Sequence, residues 1–212
     1  MQRFAIGIEF CGTHYRGWQT QQTGVISIQE TIEQVLSKIA NEPISLHGAG
    51  RTDAGVHATN MVAHFDSSAL RSERGWLMGS NSQLPKDISI QWIKAMDQDF
   101  HARFKAQARR YRYVVYNHPQ RPALMHKQVT HAYYALDVAK MMQAAQKFEG
   151  THNFESFRAA ACQIQSTCAP CQPLSLNSTW SIFGTRHSGR WLLTPYGPQY
   201  HGLLTGNWSR YV

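Results

Sequence analysis

Ser27-Ile28-Gln29-Glu30 fixes more of this chain than any other four residues. A serine three positions before a glutamate, ahead of an apolar series, is the capping-box pattern that starts a helix. The serine oxygen takes an N–H of the first turn that has no partner within the helix. Ile28, Ile32, Val35, Leu36 and Ile39 follow at helical spacing, which predicts a helix over about 28–40 with one buried stripe. That stripe needs a sheet to cover, and the flanking sequence supplies it. Phe4, Ile6, Ile8 and Phe10 alternate onto one face of a strand, and "NMVAHFD" and "ISIQWIKAM" read as two more. Between these two, "LRSERGWLMGSNSQL" reads as a second helix ending near Pro85. A β-α-β-α-β order points to an α/β or split βαβ domain.

The second half opens with "ARRYRYVVYN", an aromatic and β-branched strand, then a loop holding Pro119 and Pro122 and a short strand in "THAYYAL". Asp137 is placed to cap a helix that turns Val138, Met141, Met142, Ala145 and Phe148 inward, the methionines serving as core filler. After Gln163 the charges thin out, Pro and Gly scatter, and no period of 2 or 3.6 holds, so no element is assigned there.

A chain of 212 residues with 42% hydrophobic and 16% charged residues is globular, long enough for one large domain or two small ones. Its net charge of +8 favours a polyanionic partner, nucleic acid first. No apolar run is long enough to span a membrane, and Met1-Gln2-Arg3-Phe4 does not begin a signal peptide, so a cytoplasmic protein without membrane contact is expected. The four cysteines make no disulfide framework. Cys168 and Cys171 form a lone C-x-x-C pair with Cys162 nearby, so no metal is expected. No glycine loop of the Walker or dinucleotide type is present.

The chemistry concentrates in "GAGRTDAGVHA", residues 48–58. Asp53 is the candidate nucleophile or general base, and Arg51 can pair with it or hold a phosphate or base. Gly48, Gly50 and Gly55 permit tight turns and a close ligand. The other reading of Asp53, a carboxylate that only ties a turn, stands beside this one. In "RRYRY", Arg110 and Arg112 face one side of a strand, and Tyr111 and Tyr113 the other. Together with Arg109 they suit phosphate contact and base stacking, or else an ordinary packed strand. Tyr15 and Arg16, with His14, Arg71 and Arg74, either extend a basic RNA-binding surface or are simply solvated.

These segments resemble the tRNA pseudouridine synthase A family. "GAGRTDAGVHA", "GTHYRGWQTQ", "SIQETIEQVL", "NSQLP", "DFHARF", "RRYRYVVYN" and "NFESFRAAACQ" occur in the family's order and cover about residues 4–163. The resemblance implies an α+β pseudouridine synthase fold, with two ferredoxin-like halves sharing a mixed, mostly antiparallel sheet. The halves would be residues 1–104, with the Asp53 loop, and 105–212. It implies isomerisation of uridine to pseudouridine at positions 38, 39 and 40 of the tRNA anticodon stem-loop, by a homodimer without cofactor or metal. In that scheme Asp53 attacks the target nucleoside. Arg51 holds the flipped nucleotide and orients the carboxylate, and Tyr111 stacks on the uracil and helps remove its C5 proton. Arg109, Arg110, Arg112, Tyr15 and Arg16 are the RNA-binding candidates.

Two departures stand out. Asn60-Met61 replace the family's usual Gly-Gln before the strand. Beyond Gln163 the family's core strands and its segment Asp-Gly-Phe-Leu-His-His-Met-Val-Arg-Asn are missing. Codons for that segment read one base earlier give Arg-Trp-Leu-Leu-Thr-Pro-Tyr-Gly-Pro-Gln, which is Arg190 to Gln199 here. The tail thus reads as frameshifted, the C-terminal half as incomplete, and Pro198 falls where the family has an arginine that pairs with the catalytic aspartate. The alternatives to an active synthase are an RNA-binding remnant and an unstable product of a frameshifted gene.

Overall fold

The computed structural model describes residues 1–20 and 24–153, and beyond them strands at 168–171, 177–180, 189–193 and 203–204. The chain divides into two compact units between Arg109 and Arg110, with Leu204 grouped with the first.

The first unit runs β1 (Gln2–Phe10), a 3-10 turn (Gly12–His14), α1 (Ile28–Ala40), β2 (His47–Gly48), β3 (Ala58–Ser67), α2 (Glu73–Gln83) and β4 (Ile88–Met96). Its strand order is β4-β1-β3-β2, and every neighbouring pair is antiparallel. β3 thus lies between β1 and β2, which is the split βαβ plan. Helix α1 starts as its sequence dictates: Ser27 Oγ accepts from the Glu30 N–H at 3.2 Å, and Asn41 closes the helix in the left-handed region at φ 57°. Ile28, Ile32, Leu36 and Ile39 are buried against Phe4, Ile6, Phe65 and Trp76, with Val35 packed at the edge. Ser27→Ala is expected to cost about 1 kcal/mol, a melting temperature lower by roughly 2–4 °C. An unchanged thermal melt would refute the cap's contribution.

The alternation in β1 implied one buried face, but the structure buries both. Ala5 is as inaccessible as Ile6. On the second face a Cβ at Gly7 would stand 2.0 Å from Trp92 Nε1, the indole nitrogen that donates to Asn60 Oδ1 at 3.0 Å. Asn60 therefore anchors Trp92 across the sheet.

The segment after β4 folds back over this second face. Arg3 grips Asp66 through Nε and Nη2, at 2.8 and 2.7 Å, while its Nη1 donates to the carbonyls of Gln98 and Phe100, each at 2.7 Å. The Ala102 N–H donates to His64 Nδ1 at 3.2 Å. Ala49, Val62 and Ala102 form a small apolar cluster beneath, with Trp92 and Phe100 packed on it.

The second unit comprises β5 (Tyr111–Asn117), β6 (Thr130–Ala132), α3 (Val138–Gln146), β7 (Gly150–Asn153), β8 (Cys168–Cys171), β9 (Asn177–Trp180) and β10 (Gly189–Leu193). β10 lies antiparallel between β5 and β9, β6 runs parallel to β5, and β7 pairs with β8. Asp137 caps α3 as expected, its Oδ1 accepting from the Lys140 N–H at 3.1 Å. The inward face is a correction. Only Ala145 of α3 is buried and Met142 is 47% exposed, so Met142 is not core filler. The helix covers little apolar surface, and a helical period alone does not say how deep its stripe sits.

The "CAPC" pair forms β8, and among the described residues no group of three metal-ligating side chains occurs. Arg190–Leu193 lies in β10, while residues 194–199 of the stretch that reads as out of frame, Pro198 included, lie outside the described residues. The fold is α+β with mixed, mostly antiparallel strand pairing. Among the described residues no helix is long and apolar enough to cross a membrane.

Candidate active site

Residues 49–57 form a loop between β2 and β3, and backbone bonds hold it on several sides. The Ala49 N–H donates to Val62 O at 2.8 Å at the loop's start, and the Val56 N–H to Asp53 O at 3.2 Å near its end. The segment 12–18 braces it from outside. The Trp18 N–H donates to Thr52 O at 2.9 Å, and the Gly55 N–H to Tyr15 O at 3.3 Å. Glycines make this approach possible. A Cβ at Gly12 would stand 2.0 Å from Val56 O. One at Gly17, whose φ is +95°, would stand 2.5 Å from Thr52 O.

Arg51 and Asp53 are exposed at the tip. Among the described residues, neither the Asp53 carboxylate nor the Arg51 guanidinium takes part in a hydrogen bond or an ion pair. The turn at Asp53 is closed by its backbone carbonyl, which accepts from the Val56 N–H, and among the described residues its carboxylate and the Arg51 guanidinium do not pair with each other. Next to Asp53, Thr52 Oγ1 is buried without a hydrogen bond among the described residues.

The remaining candidates separate. Tyr15 is buried in the main core, and its hydroxyl donates to Asp87 Oδ1 at 2.8 Å, so its ring is a packing element and not part of an RNA-binding surface. Arg16 is exposed, with its backbone N–H on Ile26 O at 3.1 Å. Arg109 is half-buried in the first unit and donates through Nη2 to Ala49 O at 2.7 Å, beneath the Asp53 loop. In the second unit Arg110 is exposed, while Tyr111 and Arg112 are half-buried on β5, with Arg112 Nε buried and unbonded among the described residues. Tyr113 accepts a hydrogen bond from the Thr130 hydroxyl.

The family model described as tRNA pseudouridine synthase matches residues 6–105, a span that holds the whole Asp53 loop and its braces. The tRNA pseudouridine synthase A of Acinetobacter baylyi is 81% identical over 163 residues, 77% of this chain and 60% of that protein. That of Acinetobacter baumannii ATCC 17978 is 80% identical over 163 residues, 77% of this chain and 62% of that protein. The chain matches the tRNA pseudouridine synthase A family. The match extends to a more distant relative: the Aeromonas hydrophila protein of the same name is 55% identical over 161 residues, 76% of this chain and 60% of that protein. The chain therefore spans about 60% of the length of these relatives.

Several residues behind the family motifs carry structural roles that the sequence reading did not assign. The "GTHYRGWQTQ" segment braces the Asp53 loop through Gly12, Tyr15 O, Gly17 and Trp18. In "DFHARF", His101 joins His64 and His47 in an imidazole cluster with ring centroids 4.5, 5.1 and 6.1 Å apart. His64 is 2% exposed. Burial, then His101, His47 and Arg3, push its pKa down to about 4 against the opposing pull of Asp66. His101 is also pushed down, by burial first and then by His47, Arg3 and Arg103. The signal available in the sequence was three histidines on or beside three strands, but nothing in their spacing brings them together.

Proposed function

We propose that this chain carries the catalytic loop of a tRNA pseudouridine synthase, acting on uridines 38, 39 and 40 of the anticodon stem-loop with Asp53 as nucleophile. One observation carries the reading: a carboxylate that is exposed and, among the described residues, unbonded, at the tip of a loop whose backbone is tied on several sides. A carboxylate nucleophile must be both held and unobstructed. Asp53 attacks C1′ of the flipped nucleoside as the N1–C1′ bond breaks, and the uracil turns. C5 then displaces the Asp53 oxygen from C1′, which regenerates the carboxylate, and a proton leaves C5 while N1 gains one. Atoms balance without a cofactor, and the target base leaves its stack to be reached. Tyr111 stacks on the uracil and assists at C5, and Arg51 holds the nucleotide. Arg110, Arg112 and Arg16 contact phosphates, and the working form is a cytoplasmic homodimer of two-half subunits.

A second reading, a chain that binds RNA without isomerising it, is favoured by the out-of-frame correspondence at Arg190–Gln199. One experiment decides between them. This chain, Asp53→Asn and a frame-restored version are compared by pseudouridine mapping on tRNA and by filter binding at several salt concentrations. The proposed function expects Asp53→Asn to lose isomerisation while tRNA affinity stays within about twofold and falls steeply with salt, because phosphate contacts dominate affinity. Isomerisation by the frame-restored chain alone, with tRNA still bound by this chain, establishes the second reading. Pseudouridine made by Asp53→Asn at the parent's rate rejects the nucleophile.

A further inference from the structure

We propose that Arg109 is a positioning residue for Asp53, holding the floor of the catalytic loop, and not an RNA contact. The proposal rests on the reading of Asp53 as the reacting group. Sequence places Arg109 at the head of a basic run, and a basic run beside strand residues suggests phosphate binding. The geometry points elsewhere. Arg109 is half-buried and its Nη2 donates to Ala49 O at 2.7 Å, a short charge-assisted bond. A Cβ at Gly50 would stand 3.5 Å from Arg109 Nε, so the guanidinium lies against the backbone of the next residue as well.

Ala49 is buried in the small cluster with Val62 and Ala102, and its N–H reaches Val62 O. Its carbonyl is taken by Arg109. The bond therefore fixes the peptide between Ala49 and Gly50, one residue before Arg51 and three before Asp53. The brace from residues 12–18 acts on Thr52 and Gly55, at the far part of the loop. Arg109 and that brace together grip the loop on either side of Arg51. A carboxylate three residues from a released peptide would sample a wider arc, and reaction rates fall steeply with small displacements of a nucleophile. Lysine keeps one donor at the end of a flexible stem, so it can restore the single bond to Ala49 O but not the planar contact with Gly50.

The test compares Arg109→Ala, Arg109→Lys and Arg110→Ala, the last removing an exposed neighbouring charge. Amide hydrogen exchange is read at Ala49, Gly55 and Trp18, with the β1 amides as a reference for global folding. Single-turnover rate and RNA affinity are read on an anticodon stem-loop. For Arg109→Ala, exchange at Ala49 and Gly55 is expected to rise about tenfold or more relative to β1, the equivalent of one charge-assisted bond. The rate of the bound complex is expected to fall at least tenfold with affinity within about threefold, and lysine recovers part of both. Arg110→Ala changes affinity and its salt slope and leaves exchange alone. Unchanged loop exchange in Arg109→Ala overturns the proposal, as does weakened RNA binding with the bound rate intact. If neither the parent nor its frame-restored version isomerises uridine, the functional reading fails while the exchange result still decides whether Arg109 holds the loop.

Discussion

Gly12→Ala is expected to destabilise the protein by about 3 kcal/mol, the upper end of overpacking costs, and to lower the melting temperature by roughly 6–12 °C. The new methyl would stand 2.0 Å from Val56 O and 2.7 Å from Val56 C. Both are backbone atoms, so no side-chain rotation relieves the overlap. Neither partner moves easily. The Cys11 N–H is held on Asp87 O at 2.8 Å, the Tyr15 N–H on Gly12 O at 3.0 Å, and Val56 is itself buried and bonded to Asp53 O. Relief comes only from parting the 12–18 segment and the loop that carries Asp53. Any activity of the parent should therefore fall together with stability. Gly79→Ala is the control. It lies within α2, where a Cβ meets Ile39 Cδ1 at an ordinary 3.5 Å, and alanine there should stabilise by about 0.4–1 kcal/mol. Melting of Gly12→Ala at the parent's temperature would show that the two segments do not pack as described.

Acid is the second large lever. His64 accepts the Ala102 N–H through Nδ1, which it can do only while that nitrogen is unprotonated. His101 and His47 face it from the back-folded segment and from β2, Arg3 from β1, and Asp66 from its own strand. Its folded pKa is about 4 against an ordinary value of 6.5, so between those values the unfolded chain binds more protons than the folded one. Stability then rises with pH across this window. It is fully present above about 6.5 and is lost as pH falls towards 4, by about 3 kcal/mol in all. Urea unfolding at intervals from pH 8 to 4 measures the slope. His64→Asn, whose amide oxygen can still accept from Ala102, should flatten it, leaving the smaller contribution of His101. The same slope in the asparagine variant would remove His64 from the account.

How much of this was legible in the sequence depended on whether a residue's partner was local. Helix α1 was readable to its ends because Ser27, Glu30 and the isoleucine stripe act within a few turns. Strand β4 was readable from its own alternation. The second buried face of β1 was not, because Ala5 and Gly7 are small where an outer face would be polar, and smallness is a weak signal. Tyr15 read as a surface aromatic because its partner Asp87 lies 72 residues away. Asp53 stood out by composition, yet what holds its loop did not. Gly12, Gly17 and Arg109 each meet it through space, with no periodicity to announce them.

The position of β1 also bears on the order of synthesis. Strand β1 lies between β3 and β4, with Ile6 opposite Ala63 on one side and Ile93 on the other. At about 5–20 residues per second, the interval between translating Ile6 and Ile93 is roughly 4–17 s. During that time Phe4, Ile6, Ile8 and Phe10 have no completed sheet to enter. The nascent chain should therefore engage hold-type chaperones through the β1 segment, and β1 should complete its docking only after β4 has cleared the exit tunnel.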